Sequence, residues 1–295
     1  MYSKKYSLKT AVLFFAVLWA ASEGRAQIVA EPKDTPPEWS KPYQPFCIAG
    51  NLYYVGTYDL CCYLVTTPEG HILINTGLAA SAAQIQANVE ALGFRVADIK
   101  ILLTTQAHYD HMGAMASLKQ VTGARLMVNE KDSAVVADGG NSDYALGGNG
   151  SSYAPMQPDS ILHNGDTVSL GGMHLVMLHH PGHTKGSCSY LLNVKDNKKT
   201  YRVLIANMPT IVTEKPFAGI TVYRDIASDY AYTLTAMKKL SFDLWLSSHA
   251  SQFNLHDKHR PGDAYNPAVF IDRKGYDAAM KRLSAQYRQK IADEK

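Results

Sequence analysis

Gln106-Ala107-His108-Tyr109-Asp110-His111 is the densest chemical feature of the chain. Two imidazoles and a carboxylate packed so closely are good ligands for a borderline-soft divalent ion such as zinc. The hexapeptide directly follows a buried-type strand run, Ile101-Leu102-Leu103-Thr104-Thr105. A strand end that turns sharply can aim three side chains at one point. Short His/Asp clusters also occur by chance, so further ligands have to decide, and two later loops supply them. Pro181-Gly182-His183-Thr184-Lys185-Gly186-Ser187 holds a histidine in a glycine-flanked turn, and Ser247-Ser248-His249-Ala250-Ser251 holds another just past a strand ending at Leu246.

Taken in order, H-x-D-H, G-H-T-x-G-S and S-H-A-S-Q-F resemble the metallo-β-lactamase superfamily, in register over about residues 48–253. Within it the chain is most similar to class B β-lactamases of the third subclass, B3, and there to the GOB-type branch. In that branch a glutamine replaces the first motif histidine, and Gln106 holds that position. The resemblance implies an α/β fold, the four-layer αββα sandwich, with a metal site at one edge between the two sheets. It implies Gln106, His108 and His183 as one zinc position and Asp110, His111 and His249 as the other. A neutral amide oxygen is a weaker zinc ligand than imidazole. One or two zinc ions per chain are therefore expected, with the Asp110/His111/His249 position the tighter.

The activity this implies is hydrolysis of the β-lactam amide of penicillins, cephalosporins and carbapenems, giving antibiotic resistance. The attacking group is a metal-bound hydroxide, since zinc lowers the pKa of bound water from about 15.7 to about 7. Asp110 is then the ligand that positions this hydroxide. The rival branches, thioester hydrolases resembling glyoxalase II and lactonases, usually carry an aspartate bridging the two metals. The corresponding stretch, Val203 to Pro209, offers Asn207 and Met208 and no carboxylate. A lactone or thioester hydrolase of the same fold is the alternative, and a catalytically silent zinc-binding protein the alternative from another class. Asn75, where many relatives have aspartate, can still hydrogen-bond a ligating group but supplies no charge. Candidate substrate contacts are Tyr144, Thr184, Lys185 and Met208. Each has a plainer role beside it: Tyr144 as an anchor for its own loop, Lys185 as a solvated lysine, Met208 as site floor. His179 and His180 read as strand or supporting residues. His71, His163, His174, His256 and His259 lack ligand spacing and read as surface, and Tyr230, Tyr232 and Trp245 as core.

These residues need a scaffold, and strand and helix signals alternate along the chain. β-rich runs occur at Leu52–Val55, Cys62–Val65 and Ile72–Ile74. Ala82, Ile85, Val89 and Leu92 fall at helical spacing closed by Gly93. A helix from about Gly113 and a strand from Arg125 to Asn129 follow the first motif. Gly139 to Pro158, with five glycines and two prolines, reads as a long surface loop. Further strands are expected around Val168, Leu175–Leu178, Ser189–Leu192, Val203–Ile205 and Phe242–Leu246, with a helix from Asp229 to Leu240. Tyr276, Met280, Leu283, Tyr287 and Ile291 share one face of a C-terminal helix.

The chain has 295 residues, 46% of them hydrophobic and 19% charged, which suits a globular protein with a substantial core. Its formal charge of +3 is accounted for by Lys4, Lys5, Lys9 and Arg25 against Glu23. The rest is neutral and offers no footprint for nucleic acid or an anionic membrane. Residues 1–26 read as a secretory signal: a lysine-bearing start, an apolar run from Ala11 to Ala21, and a small-residue ending at Ala26. That run is shorter than the about 20 residues needed to span a bilayer. An exported, periplasmic protein is expected, with residues 27–295 as one domain and nothing demanding more than a monomer. Cys47, Cys61, Cys62 and Cys188 form no metal motif; a Cys47 bond to Cys61 or Cys62 and buried free thiols both remain open.

Overall fold

The computed structural model describes residues 1, 2 and 29–294, so the expected export leader lies outside the described residues apart from Met1 and Tyr2. Seven strands form the first sheet, in spatial order β1 to β7: β1 (Phe46–Ala49), β2 (Leu52–Tyr54), β3 (Tyr63–Thr67), β4 (Gly70–Ile74), β5 (Ile99–Leu103), β6 (Arg125–Asn129) and β7 (Ser160–Leu162). The strands pair antiparallel from β1 to β4 and parallel from β4 to β7. Five form the second, in order β12-β11-β10-β9-β8: β8 (Thr167–Leu170), β9 (Met173–His179), β10 (Cys188–Lys195), β11 (Thr200–Ala206) and β12 (Leu244–Ser247). Only β11 and β12 run parallel there.

Alternation of side chains across the first sheet explains why two apolar layers form. Tyr63, Val65, Ile72, Ile74, Ile101 and Leu103 face the second sheet, meeting Leu175, Met177, Tyr190 and Val203. Their neighbours Leu64, Leu73 and Leu102 face the other way, onto Ile85 and Val89 of α2 (Ser81–Ala91) and Met115 and Leu118 of α4 (Met115–Thr122). Because both faces are covered, β4 is buried throughout, which is why Ile72-Leu73-Ile74 reads as an apolar run. Outside the second sheet lie α6 (Ile226–Lys238) and α8 (Arg273–Asp293), contributing Leu234, Met237, Tyr276, Met280 and Leu283. Each such fully buried side chain contributes on the order of 1.5–3 kcal/mol. The result is helix, sheet, sheet, helix: the expected αββα sandwich.

Several local expectations are corrected. The short edge strands β1 and β7 carry no sequence signal, and β12 starts two residues after the expected Phe242. His71 and His259 are buried rather than surface residues, at 7% and 8% exposure. His71 sits on the fully covered β4 against Phe94, and His259 stacks on Phe46 at 3.6 Å between ring centres. Tyr232 is exposed, because it points away from the face of α6 that buries Tyr230 and Thr233. All four cysteines are free, with Cys61, Cys62 and Cys188 buried and Cys47 half-buried.

The C-terminal ends of β5, β11 and β12 come together at one edge of the sandwich. Polar ties between sheets hold that edge in register. Tyr190 Oη donates to Thr104 O at 3.0 Å. Backbone bonds run from Cys188 N to Thr105 O at 2.8 Å and from Cys61 N to Ser248 O at 3.1 Å. The first motif follows β5, the second lies between β9 and β10, and the third follows β12.

Candidate metal centre

Past β5 the chain bends through residues 105–108 and then makes the single-turn helix α3 (Tyr109–Met112). That turn swings Asp110 and His111 inward, while His249 arrives from the end of β12. The ligand atoms of Asp110, His111 and His249 all lie within 4.8 Å of one another. Asp110 Oδ2 is 3.1 Å from His111 Nε2 and 3.2 Å from His249 Nε2. His249 is held from behind: its Nδ1 donates to Asp59 Oδ2 at 3.1 Å, and Asp59 Oδ1 accepts from Ser251 N at 2.8 Å. Burial would raise the Asp110 pKa, but the His111 and His249 imidazoles more than reverse this and hold it well below the usual carboxylate range.

Gln106, His108 and His183 gather beside this cluster. The His108 and His183 ring centres are 4.9 Å apart. His183 Nδ1 donates to Thr210 O at 2.8 Å, which leaves Nε2 as its ligand atom. Burial, reinforced by His108, lowers the His183 pKa to about 3, so the imidazole stays neutral, the form that ligates metals. His108 Nε2 lies 3.4 Å from Asp143 Oδ1. Burial opposes ionisation of Asp143, yet His108 and the backbone N–H groups of Leu146 and Ala145 bring its pKa down to about 2.

The donor set fits zinc. Gln106 Oε1 and His111 Nε2 are buried and have no hydrogen-bond partner, a costly condition for polar atoms. A cation of N/O preference placed among them would satisfy both.

A buried carboxylate fastens two of the motif loops to each other. Asp132 accepts from Ala107 N at 3.0 Å, Thr184 Oγ1 at 2.7 Å and Gly186 N at 2.7 Å. Gly186 is required by close approach, since a Cβ there would stand 2.4 Å from Asp132 N. Burial raises the Asp132 pKa to about 6 against those donors. Asn75 adopts φ 62°, a left-handed conformation that asparagine tolerates. Its Oδ1 accepts from Thr105 N at 2.9 Å and Thr105 Oγ1 at 3.2 Å. It therefore shapes the end of β5 rather than bonding a ligating side chain.

A cleft of about 690 Å³ opens over Gln106, His108, Asp110, His183 and His249. Trp39, from α1 (Pro37–Ser40), forms one wall, 5.5 Å from the His249 ring, with Leu146 and Val212 as further apolar surface and Ser251 and Gln252 as polar groups. Of the expected substrate contacts, none lines this cleft. Thr184 is fully buried and its hydroxyl is committed to Asp132. Tyr144 Oη is directed at Gly182 O and His183 O, at 3.0 and 3.1 Å, which makes it a loop anchor. Lys185 Nζ lies over the Tyr223 ring at 5.5 Å, and Met208 is buried in the core between the sheets. Asp59, Asp132, Asp143 and Trp39 carry no motif. Their partners stand far away in sequence, so no local pattern could have revealed them.

An αββα sandwich with this constellation at one strand edge defines a class, and comparisons with known proteins agree. The family model of the metallo-β-lactamase superfamily matches residues 61–196. The class B3 di-zinc metallo-β-lactamase LRA-12 from an Alaskan soil metagenome is 62% identical, with a TM-score of 0.88 over 88% of this chain and 99% of that one. The metallo-β-lactamase GOB-18 from Elizabethkingia meningoseptica is 53% identical, with a TM-score of 0.90 over 91% and 99%. A probable metallo-hydrolase from Burkholderia pseudomallei is 34% identical over 116 residues, 38% of this chain and 37% of that protein. Among the first curated relatives, the match spans only 37% to 61% of their length. The chain belongs to the metallo-β-lactamase superfamily. Within it, the chain belongs to class B3.

Proposed function

We propose that this protein is a zinc-dependent β-lactamase that hydrolyses the lactam amide of penicillins, cephalosporins and carbapenems and so gives antibiotic resistance. The observation that carries the reading is the convergence of five N/O ligand side chains on one cleft, with His111 packed against two of them, in a chain 62% identical to a class B3 enzyme. A cleft of about 690 Å³ also lies in the range that accepts a drug-sized bicycle. Gln106, His108 and His183 would hold one zinc, and Asp110, His111 and His249 the other. When bound, zinc supplies Lewis acidity, lowering the pKa of a water toward about 7 and polarising a carbonyl.

The remaining work falls to the chain. Asp110 stays ionised at working pH, and with Oδ2 turned to His111 and His249 its Oδ1 accepts a hydrogen from the attacking water. Trp39, Leu146 and Val212 exclude bulk water and receive the apolar substituents of the drug. Ser247 Oγ donates to Gln252 Oε1, which leaves the Gln252 amide NH2 as a donor for the substrate carboxylate. Neither lysine nor arginine lines the cleft among the described residues, so neutral donors such as Gln252 and Ser251 meet that carboxylate. The protein works as an exported, periplasmic monomer, with residues 1–26 as the cleaved signal and 27–295 as the mature domain. Among the described residues no helix is long and apolar enough to cross a membrane.

Hydrolysis of a carbapenem and a cephalosporin by the purified protein, with chelator and then with zinc restored, tests the proposal. Turnover removed by chelator and recovered with zinc is expected. No turnover in folded, zinc-loaded protein would overturn it and direct the search to thioesters, the substrate class of relatives such as the hydroxyacylglutathione hydrolase of Bradyrhizobium, 30% identical over 136 residues.

A further inference from the structure

We infer that Asp143 and Tyr144 make the glycine-rich loop the positioning device of the Gln106/His108/His183 metal position. The inference rests on the zinc reading above but not on the identity of the substrate. The loop between α5 (Ser133–Ala137) and β7 contains no helix and no ladder strand, yet it is tightly built. Gly147 N donates to Asp143 O at 3.1 Å and Gly148 N to Asn141 O at 2.8 Å. A Cβ at Gly147 would stand 2.3 Å from Asn141 O, so the fold-back needs glycine there.

At the tip of this fold Asp143 is buried, at 8% exposure. Its Oδ1 accepts from Ala145 N at 2.9 Å and Leu146 N at 2.8 Å, so the carboxylate is fixed by its own loop. The same Oδ1 lies 3.4 Å from His108 Nε2. That contact falls short of hydrogen-bond geometry, but a fixed carboxylate at this distance favours the proton on Nε2 and leaves Nδ1 for the metal, which sets both tautomer and ring orientation. Tyr144, the next residue, grips the other histidine's turn through Gly182 O and His183 O. Two successive loop residues thus bear on two ligands of one metal position, and neither touches the other position. Asp59 stands behind His249 in the corresponding way. Gln106 contributes only an amide oxygen, so organisation of the two imidazoles carries more of the affinity here than it would beside a third histidine.

Metal-free protein titrated with cobalt(II), read by calorimetry and by its visible spectrum with no substrate present, tests this directly. Asp143→Asn keeps Oδ1 for Ala145 and Leu146 but replaces the charged acceptor facing His108 Nε2 with a weaker, neutral amide oxygen. The weaker of two metal equivalents should lose about 10–100-fold in affinity, with the tighter unchanged. Asp59→Asn should do the reverse. Equivalents that are both unchanged, or both weakened alike, in Asp143→Asn would overturn the proposal. So would a parent protein that takes up a single equivalent, since there would be no second position to organise. Tyr144→Phe retains the ring and should weaken the same equivalent; an unaltered titration removes the tyrosine from the device. Two cobalt equivalents behaving as expected in a protein that hydrolyses no β-lactam would sink the substrate reading and leave this one standing.

Discussion

Gln106 is the residue at which ligand chemistry differs most between the two positions. Its buried Oε1 lacks any hydrogen-bond partner, so an imidazole put there would meet the same open position with a stronger donor. Gln106→His should tighten the weaker zinc equivalent; unchanged affinity and stoichiometry by calorimetry would refute the weak-ligand argument. The carboxylate–histidine pairs make a second prediction, for metal-free protein. Asp59 and Asp143 titrate at about 2 when folded, against about 3.9 unfolded. Their stabilisation is complete above about pH 4 and drains away as pH falls toward 2, about 2 kcal/mol for each. His249 is raised to about 9 from an ordinary value near 6.5, so its contribution is complete below about pH 6.5 and lost as pH climbs through 9. Against burial, Asp110 and then Asp59 raise it, and the Asp59 part is the same interaction seen from its other end and counts once. His183, lowered to about 3, adds a further loss as pH falls below about 6.5. Urea midpoints of the metal-free protein should therefore be highest near pH 6.5 and decline on both sides; a midpoint flat from pH 3 to 9 would contradict these pairings.

At the scale of elements, the Asp132 tie links the turn after β5 to the turn before β10. Thr184→Val deletes one donor to that buried carboxylate while keeping the side chain's shape. A loss of about 1.5–3 kcal/mol is expected, as for hydrogen bonds to charged groups, and thermal unfolding would measure it. Legibility in the sequence follows the same division between local and distant. Ile72–Ile74 of β4 and Ile101–Leu103 of β5 were readable because strand segments covered on both faces are apolar at consecutive positions. The C-terminal helix was readable because Tyr276, Met280 and Leu283 repeat at its period, and all three are buried. β1 and β7 escaped because Phe46–Ala49 and Ser160–Leu162 are too short to show a period. The six proposed ligands stand in three compact motifs, so they could be read in order. Asp59 meets His249 across 190 positions and Asp132 meets Thr184 across 52, and no spacing rule reaches that far. Tyr144 and Thr184 sit beside the ligands in sequence, but the folded turns direct their hydroxyls into the protein.

For the molecule as a whole, the closed sandwich withholds its thiols as well as its core. Burial raises Cys188 to about 12 and pushes Cys61 and Cys62 well up, so these thiols stay protonated and unreactive. Cys47, half-buried and itself raised to about 11 by burial, should be the one thiol that a reagent reaches in native protein, and slowly, and a reductant should leave the melting temperature unchanged. A drop of several degrees on reduction would reveal a disulfide. The glycine-rich loop has a different kind of reach. Leu146 forms part of the cleft wall, and its backbone N–H is bonded to the carboxylate of Asp143 that faces His108. On the loop reading above, a change that shifts the Leu146 backbone to widen this wall also moves the N–H that fixes Asp143, and so disturbs metal retention in the same mutational step. Adaptation to new antibiotics and survival in zinc-poor surroundings thus draw on the same few residues, and gains in one are bounded by losses in the other.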